Sequence, residues 1–296
     1  MVILVGCEDP FTSIPEQPTK PTGPTATDIE VVSEEIKQLV RQLEYSDNVA
    51  EDFATMVMRW KKPDGLSVLV AWRDRLNQAQ KNHKRRKISE EQFLGVEMSI
   101  VKELRHMPQE QISSGPFYDL TNVLKHRTAS CIAYSQLLYI LGNSIHLSVR
   151  PIEVLELQTP GLLPTGVLHA AGIVVLTDDK VTMVDLGSDG FVSTPFIIQD
   201  EFTKVGNYWE LRDEAKPLGV HRRIRILNMN GLIALINNRH GLSYFNSDHF
   251  TKALFYYDKT IKLDPKDACP FLGRGMASIH LDNIKKAKKT CGRQLD

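Results

Sequence analysis

Residues Leu124 to Leu141 read LKHRTASCIAYSQLLYIL, and the two halves of this stretch differ in kind. Lys125, His126, Arg127 and Thr128 make a polar, charged approach that runs directly into Ser130-Cys131. Beyond it Ile132, Tyr134, Leu137, Leu138 and Leu141 recur at helical spacing until Gly142-Asn143 ends the pattern. Thr128 or Ser130 can serve as N-cap, which places Cys131 in the first turn of a helix. Unpaired backbone N–H groups and the positive end of the helix dipole favour thiolate over thiol there. The other reading of Cys131 is a buried structural thiol, since free cysteine is among the most buried residue types.

A nucleophilic cysteine needs a base, and Gly166 to Gly187 supplies one in GVLHAAGIVVLTDDKVTMVDLG. Val167–Leu176 and Val181–Leu186 read as strands joined by the turn Thr177-Asp178-Asp179-Lys180. Such a hairpin sets His169 and Asp185 on adjacent antiparallel strands, a couple of residues out of register and within hydrogen-bond reach. Taken singly, His169 reads as a satisfied core side chain and Asp185 as a turn-former; their joint order with Cys131 raises all three as a nucleophile, base and orienting acid. Ile145–Leu157 and Gly190–Ile198 are further β-rich segments. Residues 199–220 read as a crossover loop, and the basic run from His221 to Arg225 as a solvated edge.

Cysteine at a helix start, then a strand with His, then a strand with Asp, resembles the transglutaminase-like group of papain-like cysteine enzymes. The resemblance spans roughly Phe117 to Gly187 and rests on R-T-A-S-C (Arg127 to Cys131), L-G-N-S-I (Leu141 to Ile145), L-H-A around His169 and M-V-D around Asp185. It implies an α+β core, with the cysteine helix packed on an antiparallel sheet, acting on amide bonds of protein or peptide substrates. By that resemblance Cys131 attacks as thiolate, His169 pairs with it and protonates the leaving amine, and Asp185 fixes the imidazole. The Cys131 backbone N–H would be one oxyanion donor, with Gln111 a candidate for the second. Hydrolysis, cross-linking and deamidation all fit. Ala129 stands where the family has Gly, and Met183-Val184 replaces the aromatic before the Asp. The alternative is therefore a catalytically inactive fold serving as a protein-binding or assembly module. No cofactor or metal is expected: the acidic residues Asp178, Asp179 and Asp185 are explained by the turn and the triad, and no CxxC suggests zinc.

The flanks complete the plan. With 296 residues, 42% apolar and 24% charged, the chain has the composition of a globular protein of about two domains. Thirty-six basic against 36 acidic residues give no global field for nucleic acid. No apolar run is long enough to span a bilayer. Residues 1–27 hold Leu4-Val5-Gly6-Cys7, similar to a bacterial lipobox, and a Pro/Thr-rich linker. Only six residues precede Cys7, so this is either a lipoprotein signal cut short or a chance match. The first reading implies a lipid anchor on Cys7 and the bacterial cell envelope, the second a cytoplasmic protein. Residues 28–107 read as a helical subdomain of four helices, about Asp28–Leu43, Val49–Trp60, Leu66–Lys81 and Ser89–Leu104, with Trp60 and Trp72 in its core. The basic run Lys81–Lys87 reads as a solvated loop. Residues 108–227 form the transglutaminase-like core. Residues 228–296 resemble tetratricopeptide repeats: Gly241, Tyr244, Ala253, Tyr257 and Pro265 fit one unit, and Gly275 and Ala287 recur 34 residues after Gly241 and Ala253. That resemblance implies a protein partner bound by the repeats, which pack on the core because one and a half repeats make no solenoid. Cys269 and Cys291 could pair across a helical hairpin, ordinary thiols being the default.

Overall fold

The structure is a computed structural model and describes residues 26–292 except 64, 158–164, 188–190 and 213–220. The lipobox-like segment and Cys7 lie outside the described residues. The architecture is α+β: ten helices and an antiparallel seven-stranded sheet among the described residues. Helices α1 (Ala26–Gln42), α2 (Asp47–Met58), α3 (Val68–Lys84) and α4 (Glu90–Gln111) open the chain. The apolar pattern of the fourth helix stops at Leu104, but α4 runs on through Pro108 to Gln111. Its start is sealed by a capping box: Ser89 accepts from the Gln92 N–H while the Gln92 side chain accepts from the Ser89 N–H. Trp60 and Trp72 are buried, and the Trp72 indole donates to Glu103 at 2.6 Å. The basic run Lys81–Lys87 is mostly the end of α3 and an exposed turn.

Short strands β1 (Ser113–Ser114) and β2 (Thr128–Ala129) pair in parallel across α5 (Leu120–His126), a helix the sequence did not reveal. Arg127 then turns in the left-handed region (φ 56°) and leads to α6 (Cys131–Ser144). Strands β3 (Ser148–Leu157), β4 (Thr165–Val175) and β5 (Val181–Asp185) follow. The turn between β4 and β5 has Asp178 and Asp179 both at positive φ (59° and 52°), the twist-matched kind that two-residue hairpins favour.

Among the described residues, 199–212 are not a crossover loop. After β6 (Phe191–Val192) and α7 (Ile198–Glu201), β7 (Phe202–Val205) and β8 (Tyr208–Leu211) form a hairpin around Gly206 (φ 61°), and β9 (His221–Ile226) pairs β8 and β3. The sheet order is β6-β5-β4-β3-β9-β8-β7. The basic run at 221–225 is therefore an inner strand and not a solvated edge: His221, Ile224 and Arg225 are buried. Arg225 is neutralised there by Glu153, its cross-strand neighbour (2.7 Å), and by Asp264 (2.5 Å).

Strand pleating sends alternate side chains into two cores. Val149, Ala170, Val174 and Val184 join the α6 residues and the N-terminal helices in one continuous cluster. Ile152, Val154, Ala171, Ile173 and Met183 form a second, closed by Phe196, Ile198 and Phe202. Close approach of α6 is permitted by glycine: a Cβ on Gly172 would lie 2.4 Å from Leu138, and one on Gly142 would lie 2.2 Å from Val149. Residues 28–107 thus share their core with the cysteine helix.

The chain ends in α8 (Met229–Asn246), α9 (Phe250–Leu263) and α10 (Cys269–Gly292). One part of α8 enters the large core through Leu232, Ile233, Leu235 and Ile236. Phe250, Ala253, Tyr257 and Ala277 pack together between the last three helices. Tyr257 fills the space over Gly241 and Gly273, where an added Cβ would come within 2.7 and 2.4 Å of its ring. Gly275, at the repeat position, meets nothing. Cys269 and Cys291 lie at opposite ends of one helix, about 33 Å apart at 1.5 Å per residue, so they cannot pair.

Candidate active site

The helix N-terminus and the β4–β5 hairpin bring Cys131, His169 and Asp185 together. Cys131 is the first residue of α6, with Ser130 as N-cap in extended backbone. Ser130 makes no capping hydrogen bond, so the first-turn N–H groups are not consumed by it. On the hairpin, Gly172 pairs Val184. Continuing that register sets Asp185 opposite Ala171, two residues from His169 and on the same side of the pleat. The diagonal is bridged by a hydrogen bond from His169 Nε2 to Asp185 Oδ2 of 2.5 Å. With Nε2 so engaged, Nδ1 is the nitrogen left for the thiol.

The electrostatics favour an ion pair. Burial would raise the Cys131 thiol, but its hydrogen bond to His169, the imidazolium charge and the Ala170 N–H outweigh this and bring it below the ordinary thiol range. Burial would lower His169, yet the hydrogen bonds and charges of Asp185 and Cys131 hold it up at about 10. Asp185 is buried too, which alone would raise it; the two histidines it touches and the Gly187 N–H carry it well below the usual carboxylate range. Cys269 behaves in the opposite sense: although the residue is exposed, partial desolvation and Asp267 push its thiol up to about 11.

Three residues of the site were not legible in the sequence. His221, at the start of β9, is 2% exposed and places Nε2 3.1 Å from the same Asp185 Oδ2. Gly187 donates its N–H to Asp185 Oδ1 at 2.8 Å and sits against the triad: a Cβ there would lie 3.0 Å from Asp185 Oδ1 and 3.3 Å from His169 Cε1. Gln109, at the end of α4, donates to the Leu186 carbonyl at 3.2 Å and so ties down the segment after Asp185. Gln111, the glutamine singled out from the sequence, is exposed. A small cavity of about 10 Å³ beside His169 is lined by Ile132 and by Leu235, Asn238, Arg239 and Leu242 of α8, so the first C-terminal helix forms a wall of the site.

His169, Asp185 and His221 are also the one metal-type donor cluster among the described residues, their ligand atoms all within 4.8 Å of one another. Donors sharing a tetrahedral ion at roughly 2.0–2.2 Å stand about 3.3–3.6 Å apart. The 2.5 Å contact from His169 to Asp185 is closer than that, so the cluster as it stands is hydrogen-bonded and not splayed around an ion. Comparison of the chain with protein-family models, with curated proteins and with solved structures returned no match. No helix among the described residues is long and apolar enough to cross a membrane.

Proposed function

We propose that the protein is a cysteine-dependent amide-bond hydrolase or acyltransferase with a transglutaminase-like core. The observation that carries this is the joint geometry of Cys131 at a helix start, hydrogen-bonded to His169, with His169 bonded in turn to Asp185. A lowered thiol beside a raised imidazole favours a thiolate–imidazolium pair, the form in which a thiol is a nucleophile. The thiolate attacks the acyl carbonyl carbon of a protein or peptide substrate, and charge passes to the oxygen, which the Cys131 N–H can receive. His169 gives its proton to the departing amine as the C–N bond breaks. Water or a second amine then attacks the thioester, losing its proton to His169 and freeing the thiolate.

The helical hairpins α8–α10 support a tetratricopeptide-like unit that presents a protein partner to this site, since α8 walls the site on one side. A lipid anchor on Cys7 and a place in a bacterial cell envelope belong to the same proposal, with a cytoplasmic protein as the alternative; intact mass of the protein from cells decides between them. A second reading keeps the fold and drops the chemistry, as a binding or assembly module. It is favoured by Ala129, which is buried where the family has Gly, and by Met183, which packs in the second core.

The pH dependence of iodoacetamide alkylation, read site by site, tests the catalytic reading. Cys131 is expected to react well below pH 8, Cys269 only in alkali, and His169→Ala to abolish the difference. A Cys131 that titrates near the free-thiol value of about 8.5 overturns it.

A further inference from the structure

We propose that His221 is a positioning residue of this site: donating from Nε2, it anchors the Asp185 carboxylate so that Oδ2 stays aimed at His169. The proposal rests on the cysteine-nucleophile reading above. His221 reaches the site from β9, a strand 36 residues beyond Asp185 in sequence, and its side chain is almost fully buried. Its ring lies nearly parallel to that of His169 (centroids 6.0 Å apart, 19° between planes) and against Phe191 at 5.9 Å.

The donor nitrogen follows from the surroundings. Nδ1 of His221 is buried and has no hydrogen-bond partner among the described residues. A proton there would be a buried donor without an acceptor, which is costly. It would also leave the bare Nε2 lone pair facing the Oδ2 lone pairs at 3.1 Å. An Nε2–H donor facing Oδ2 satisfies the geometry.

Asp185 thereby receives three N–H groups, Gly187 on Oδ1 and His169 and His221 on Oδ2. Two of these hold the carboxylate independently of His169, one from each side. That fixes its plane before His169 has to align on it, as outer partners orient catalytic and ligating histidines elsewhere.

The donor nitrogen is identified on the unaltered protein by nitrogen-15 NMR of the histidine rings. A proton on Nε2 of His221 is expected; an Nε2 without one overturns the proposal. Two variants then separate positioning from packing. His221→Leu is expected to slow Cys131 alkylation about tenfold or more, the scale of losing one hydrogen bond to a charged group, and to shift the low-field proton signal of His169 Nε2–H. His221→Gln, whose amide can donate from the Nε2 position, is expected to keep both close to the parent. Equal rates in all three proteins, or equal losses in both variants with unchanged thermal midpoints, overturn it. Should the leucine variant fail to fold, the donor nitrogen and the glutamine variant still decide. If His169→Ala leaves Cys131 unchanged, the nucleophile reading itself fails, whatever His221 shows.

Discussion

Replacing Asp185 by Asn tests the site at its most connected atom. The substitution is isosteric, but an amide has one acceptor end, whereas the structure asks for acceptors at both. Gly187 N–H points at Oδ1, and His169 and His221 both point at Oδ2. Either amide orientation sets Nδ2 against a donor, leaving buried N–H groups unmet at roughly 1–3 kcal/mol each. The lost charge adds to this. Burial alone would lower His169, yet it stands at about 10 against an ordinary 6.5. At roughly 1.4 kcal/mol per pKa unit the net rise corresponds to ~5 kcal/mol, which Asp185 and Cys131 together supply beyond offsetting burial. A share of about 2–4 kcal/mol for Asp185 is the working figure. A raised histidine contributes its stability fully below about pH 6.5 and loses it as pH rises through about 10; a depressed carboxylate contributes above about pH 4 and loses it as pH falls further. The gap between parent and Asp185→Asn is therefore widest from about pH 4 to 6.5 and narrows on both sides. Urea unfolding at pH values across this range measures it. The alkylation limb of Cys131 should move up with it, because the imidazolium that lowers the thiol loses its anchor. That loss outweighs the small relief of removing the direct Asp185 repulsion of the thiolate. A pH-independent gap, or an unmoved Cys131 limb, would refute the argument that Asp185 holds an imidazolium.

Two further expectations follow from neighbouring contacts. Gly187→Ala forces a methyl to within 3.0 Å of Asp185 Oδ1 and 3.3 Å of His169 Cε1. Overpacking of this size costs about 1–3 kcal/mol, so a modest fall in thermal midpoint with a large loss of Cys131 reactivity is expected, and full reactivity would show that the pocket yields. Arg225→Met removes the cation between buried Glu153 and Asp264. Stranding these carboxylates should cost about 3–5 kcal/mol near pH 8. Burial already raises Glu153, so protonation relieves it first and the deficit measured by urea unfolding should shrink towards pH 5; a deficit that grows on acidification contradicts this.

What the sequence revealed and what it hid divide along a physical line. The cysteine helix and the His–Asp hairpin were legible because each is specified locally. Apolar residues at helical spacing fix α6, and the Thr177–Lys180 turn fixes the β4–β5 register within about 20 residues of chain. His221 was not legible, because its meaning depends on a pairing of β9 with β3 that joins His221 to Leu157 across more than 60 residues. Read alone, a His followed by two arginines looks like solvated surface. The β7–β8 hairpin was hidden because its strands are four residues long, although Gly206-Asn207 is a turn dipeptide that could have signalled it. Gln109 draws no notice in the sequence because Pro108 suggests that the helix has already ended, whereas α4 continues and brings residue 109 to the Leu186 carbonyl. The parts that reading along the chain cannot supply are thus those that hold Asp185 in place. Cys131 and His169 sit on elements that fold by their own pattern, while the Asp185 carboxylate is fixed by α4, by the segment after β5 and by β9, three pieces that meet only once the whole sheet has formed. A chain that forms the hairpin but mispairs β9 would carry all three triad residues and lack the alignment between them.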